Sequence, residues 1–177
     1  MKLTPFIYII TLLFFFDISA QETFTLPNGN TYPSTPSWSF LCERYALSGK
    51  TTIQIAKTEK GGILKIAAET TSKDFYIGGT TYVYLSDYTA IACTDKNLRA
   101  QTENGTAAYY YFTPAEMNRL KSNDILSVRF NIRGNTNSFS SQIGNFTALN
   151  KKSYFGTFGK EYKNIFETAA EIALLYK

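Results

Sequence analysis

The chain has 177 residues, a formal net charge of +4, two cysteines and no histidine. The length suffices for one domain with its own core, and the missing imidazole excludes Ser–His–Asp and Cys–His nucleophilic sites, a His general base and His-ligated zinc. Two cysteines are too few for a four-cysteine zinc site, and the longest basic run is only Lys151–Lys152, so neither a nucleic-acid partner nor a metal or other cofactor is expected.

Residues 1–20 have the layout of a secretory signal peptide. Lys2 supplies the charge, Phe6 to Phe16 the apolar block, and Ile18-Ser19-Ala20 a cleavage site before Gln21. The block is short for a spanning helix and Asp17 closes it. Cleavage near Ala20 is expected, giving a secreted or periplasmic protein with no transmembrane segment in the mature chain. Cleavage removes one Lys and one Asp, so the net charge is unchanged. In an oxidising compartment Cys42 and Cys93 are candidates for a disulfide. It would close a loop of about fifty residues and stabilise the fold by about 4 kcal/mol in the chain-entropy account; the alternative is two buried thiols.

Residues 21–37 form a Pro/Thr/Ser-rich arm in which Pro27, Pro33 and Pro36 argue against regular structure. The arm is expected to dock through Phe24, Leu26 and Tyr32. A β domain then covers 38–134. Trp38, Phe40 and Cys42 share one face of a first strand, and Leu41, Glu43, Tyr45 and Leu47 the other. Thr51 to Thr58 carries Ile53 and Ile55. Lys60-Gly61-Gly62 turns the chain back into Ile63–Thr70, with Leu64, Ile66 and Ala68 inward. Phe75–Ile77 and Thr81–Leu85 are strands separated by a Gly78–Gly79 bend. Thr89–Thr94 pairs back, Leu98–Thr102 is short, and Asn104-Gly105 is a turn.

The stretch from Ala107 to Gly134 is the most legible. Ala108, Tyr110 and Phe112 alternate with Ala107, Tyr109 and Tyr111. Thr113 is an N-cap, Pro114 the first helical residue and Glu116 the partner of a capping box, while Phe112 and Met117 stand at the positions of a hydrophobic staple. The helix is expected to end near Ser122–Asn123. Leu126, Val128, Phe130 and Ile132 then face the core, and Ser127, Arg129, Asn131 and Arg133 face water. Residues 135–159 show no sustained periodicity and are expected to be a loop pinned by Phe139, Ile143, Phe146 and Leu149. Residues 160–177 predict a C-terminal helix docked on the sheet, its stripe running through Tyr162, Ile165, Phe166, Ala169, Ile172, Ala173 and Tyr176.

Many short strands with frequent turns make the chain mainly β, an antiparallel β-sandwich or flattened barrel with one short bridging helix and a C-terminal helix. The motifs resemble those of small exported β-rich proteins of Bacteroidota: IGGTTYVYLSD at Ile77–Asp87, the Tyr109–Phe130 segment, and IGNFTALNKKSYFGTF at Ile143–Phe158. That resemblance implies export and a β fold, and it assigns no catalytic or ligand residue.

Glu116 is explained by its cap, and Asp87, Asp95 and Glu103 are ordinary turn or edge carboxylates, so no catalytic residue is assigned. The candidate binding residues are Tyr109, Tyr111, Tyr82 and Tyr84, which would form an aromatic platform if they shared an outer face; the alternative is core or cross-strand packing. Arg129 and Arg133 serve either an anionic ligand or the protection of a sheet edge. The expected function is that of an exported, non-enzymatic binding or structural protein whose partner is a protein or surface glycan; the alternative is an extracytoplasmic hydrolase or enzyme inhibitor.

Overall fold

The computed structural model describes residues 22–42, 49–135, 140–153 and 164–177. The leader, with Tyr45, Leu47, Phe139 and Tyr162, lies outside the described residues. The elements run β1 (Glu22–Thr25), β2 (Thr31–Ser34), β3 (Trp38–Cys42), β4 (Lys50–Thr58), β5 (Gly61–Glu69), β6 (Phe75–Ile77), β7 (Thr81–Leu85), β8 (Ala90–Cys93), β9 (Arg99–Thr102), β10 (Gly105–Phe112), α1 (Pro114–Ser122), β11 (Ile125–Gly134), β12 (Gly144–Leu149) and α2 (Thr168–Leu174).

The fold is mainly β: an antiparallel sheet that curls into a half-barrel, with two helices. Its hydrogen-bonded order is β8-β7-β11-β12-β3-β4-β5-β10-β9, with β6 on β11 and the β1–β2 hairpin attached to β4 through Ser34 and Ala56. Alternation sends Phe40, Ile53, Leu64, Ile66, Val83, Val128 and Phe130 into one shared interior, where Phe130 and Phe146 stack at 6.0 Å. A smaller cluster of Phe24, Leu26, Ala56, Ile63, Ala107 and Tyr109 lies on the opposite face of β4, β5 and β10. Both faces of β10 are therefore buried along most of its length.

The capping box forms as its spacing requires. Thr113 Oγ1 accepts from the Glu116 N–H at 3.3 Å, and Glu116 Oε2 accepts from the Thr113 N–H at 2.7 Å. Met117 and Leu120 are buried.

Several expectations are corrected. The arm is a hairpin. Leu26 and Asn30 close its turn, with Gly29 at φ +87, and Pro33 sits where β2 needs no ladder donor. The stretch assigned to a loop contains β12, six residues paired with β11, with Phe146 and Ala148 inward; it is too short for its periodicity to stand out. The C-terminal helix is only Thr168–Leu174. Ile125, not Leu126, points inward, because a register shift between Ile125 and Ser127 leaves Leu126 outside.

Cys42 and Cys93 are buried in the main core and are not bonded to each other. Their strands β3 and β8 have three strands between them along the sheet.

Polar ties hold the C-terminal segment to the barrel. Trp38 Nε1–H donates to Glu171 Oε2 at 2.7 Å, and the Ile125 N–H donates to Thr168 Oγ1 at 2.7 Å. Asp124 Oδ1 accepts from the Ala169 N–H at 2.9 Å, doing from a distance what a local cap would do. Asn150, buried, donates to the carbonyls of Ile125 and Phe166 and accepts from the Phe166 N–H.

Two predictions follow from this packing. Thr113→Ala removes the cap acceptor and lowers unfolding free energy by about 1 kcal/mol, read from a urea titration with unchanged slope. Burial, with Glu116 nearby, pushes the Cys93 thiol from 9.0 up to about 12. Burial likewise pushes the Tyr110 phenol from 10.0 up to about 12. In the unfolded chain both protons leave earlier, so above the ordinary thiol range the unfolded state holds fewer protons and stability falls as pH rises. Urea midpoints are expected to be level below about pH 9 and to decline from there toward about pH 12, with a shallower decline in Cys93→Ala.

Candidate functional site

The four candidate tyrosines do not assemble into one platform. Tyr109 is buried beneath the β1–β2 hairpin, 6.0 Å from the Phe24 ring, and that burial raises its phenol pKa. Alternation does put Tyr111 on the same face, but it stands past the reach of the hairpin and is 48% exposed. Tyr82 and Tyr84 are exposed together on the outer face of β7. Along the hydrogen-bonded path five strands separate β7 from β10.

The surviving pair has a defined setting. Tyr82 and Tyr84 are two residues apart, about 7 Å along the strand. Tyr82 lies opposite Arg129 and Tyr84 opposite Ser127 on β11. The β11 irregularity adds Leu126, 41% exposed, beside them. Arg129 has no acidic partner among the described residues. At the tip of the β7–β8 turn, Tyr88 is 95% exposed at φ 63, a conformation aromatic residues rarely take. Asp87 supports that turn by accepting from the Thr89 hydroxyl at 2.6 Å and the Thr89 N–H at 3.0 Å, and these bonds hold its carboxyl below the ordinary range. Arg119 from α1 bonds the same hydroxyl.

A second surface adjoins the first. An open cleft of about 1240 Å³ lies between the end of β8, the end of β10 with the start of α1, the β4–β5 turn and β2. Tyr32, Lys57, Lys60, Ala92, Lys96 and Tyr111 are among its walls. Ala92 is the register partner of Tyr82, so the outer strip runs Arg129, Tyr82, Ala92, cleft, Tyr111. Lys57 is already engaged, donating to the Leu175 carbonyl at 3.1 Å with its ammonium 4.6 Å from the Tyr176 ring.

The carboxylates near these surfaces are committed to backbone. Glu116 also lines the cleft but is held by the Thr113 N–H and hydroxyl. Burial acts to raise the Asp95 carboxyl, yet the N–H groups of Gly79 and Asn97 and the Arg99 guanidinium outweigh it and hold it low. A side chain at Gly79 would be strained, since its φ is +85, and its Cβ would stand 2.7 Å from an Arg133 nitrogen that would have to shift. Arg133 is thus packed over the β6–β7 bend.

Alternation in the sequence puts Tyr82 and Tyr84 on one face and Arg129 on the water side of β11, and both placements hold in the structure. Sequence reasoning missed Leu126, because a bulge has no strong local signature here, and it missed the cleft, whose walls come from segments remote in sequence. Among the described residues, no helix is long and apolar enough to cross a membrane, and no group of three or more His, Cys, Asp or Glu could hold a metal ion. No protein-family model, curated protein or solved structure matches the chain.

Proposed function

We propose that this is an exported, non-enzymatic binding protein that takes a glycan chain on the outer face of β7 and β11. The observation that carries the reading is the pair Tyr82 and Tyr84, both exposed on one face of a sheet, with Leu126 and the unpaired Arg129 beside them. Tyrosine offers a broad ring at small entropy cost. Two rings about 7 Å apart on a strand can stack successive sugar faces, and a guanidinium has donors for hydroxyl or carboxylate oxygens. The commitment of Glu116, Asp87 and Asp95 to local backbone favours a binder over a two-carboxylate hydrolase. The signal-peptide layout of residues 1–20 is what supports export. We read the architecture as a flattened barrel, since one hydrogen-bonded path curls around one main core.

Two experiments test this reading. N-terminal sequencing of protein recovered from outside the cytoplasm is expected to begin at Gln21; an intact leader there would overturn the assignment of export by cleavage. On a glycan array the protein is expected to retain at least one polysaccharide, and Tyr82→Ala and Tyr84→Ala to weaken it about tenfold or more each with unchanged melting. Undiminished binding by the double variant, or an array without a hit, would remove the proposal.

A further inference from the structure

Two roles were open for Arg129 and Arg133, and the topology removes one of them. β11 is not an edge strand: β12 flanks it on one side, and β7 with β6 on the other. Protection of a sheet edge therefore does not account for the two guanidinium groups. The β12 ladder runs without a shift from Ser127 to Ile132, and the β6 ladder continues from Ile132 to Gly134. Arg129, Asn131 and Arg133 thus stay on one outer face, with Val128, Phe130 and Ile132 beneath them.

Neither charge is answered by the protein. β6, β7, β11 and β12 contain no Asp or Glu. The register partners of Arg129 are Tyr82 and Thr147, and that of Arg133 is Tyr76. Both arginines are exposed, and among the described residues neither makes an ion pair. Arg99 is the contrast: its guanidinium is held by Asp95 and lies 4.6 Å from the Tyr76 ring. Four residues along a strand put Arg129 and Arg133 about 13 Å apart, beyond the screening length of about 8 Å at physiological salt. They repel each other little, yet both attract a long anion. Between them Asn131 donates to Asn145 Oδ1 at 3.2 Å, an exposed amide pair.

We propose that the ligand of this face is an acidic polysaccharide lying along β11, with carboxylate or sulfate groups at Arg129 and Arg133 and sugar rings on Tyr82 and Tyr84. This rests on the glycan reading above and adds the charge of the ligand and the direction of its chain. A guanidinium presents a planar fork of donors that meets either anionic group with two bonds. An acidic protein would satisfy the arginines but has no repeating ring face for the tyrosines. A nucleic acid would want a basic stripe rather than two isolated cations. Because one sugar ring cannot reach both arginines at about 13 Å, affinity is built by linking two weak contacts through one chain.

The test titrates the mature chain, at about 0.15 M salt, with polygalacturonate and its carboxyl-reduced neutral form, with dextran sulfate and dextran, and with polyglutamate and oligothymidylate. At least one acidic polysaccharide is expected to bind about tenfold or more tightly than its neutral counterpart, and which pair shows the gap tells carboxylate from sulfate. Arg129→Gln and Arg133→Gln are each expected to erase most of that gap with unchanged melting, and the single acidic sugar to bind about a hundredfold more weakly than the polymer. In the wild-type chain a short acidic oligosaccharide is expected to shift the backbone amide NMR signals of Arg129 and Arg133, a readout that stands even if a variant fails to fold. A neutral glycan held through Tyr82 and Tyr84 as tightly as its acidic counterpart would overturn this inference and leave the glycan reading standing. Acidic binding that survives Tyr82→Ala with Tyr84→Ala, or that polyglutamate or oligothymidylate equals, would overturn it as attraction by charge alone. Unshifted amides at Arg129 and Arg133 would overturn it too, and binding of no polysaccharide would remove both.

Discussion

The register of β11 is the constraint on which the rest of this protein depends. Its pairing with β12, β7 and β6 places Val128, Phe130 and Ile132 in the interior. A slip of one residue would exchange that set for Ser127, Arg129 and Asn131, a change no core tolerates. The irregularity at Ile125 is the accommodation that lets the strand meet both the core and the segment arriving from α1. The outer surface inherits its pattern from that choice: Arg129 stands opposite Tyr82 because Val128 stands opposite Val83.

The half-barrel is insulated unevenly. Over β4, β5 and β10 the N-terminal hairpin supplies a second apolar layer, so Ile63, Ala107 and Tyr109 are covered. Over β7 and β11 no such layer exists among the described residues, and Tyr82, Tyr84 and Leu126 meet solvent. The same residue type therefore does opposite work at two positions. Tyr109 packs, and Tyr82 is displayed, although both sit in alternating strands of similar composition.

That contrast shows why only part of the architecture was legible in the amino acids. Local chemistry with a fixed spacing could be read directly, as at Thr113, Pro114 and Glu116, where three residues within one turn agree. The Leu64–Ile66–Ala68 face was readable because nine residues of β5 sustain the pattern. β12 was hidden because its apolar residues Phe146 and Ala148 span too few positions, and the hairpin because Pro27 and Pro33 look prohibitive until the turn and the edge that accept them are known. Which tyrosines stay wet depends on what another segment covers, and that is a tertiary fact with no local spelling.

The tie between Trp38 and Glu171 has a consequence for how the molecule can be observed. The chain has a single tryptophan. That indole lies in the main core and hands its N–H to a carboxylate of α2. Its emission is thus a built-in optical reporter of whether the C-terminal helix is seated. Release of that helix would wet the indole and shift its fluorescence to longer wavelength before the sheet itself comes apart, so one dye-free spectrum can separate undocking from global unfolding.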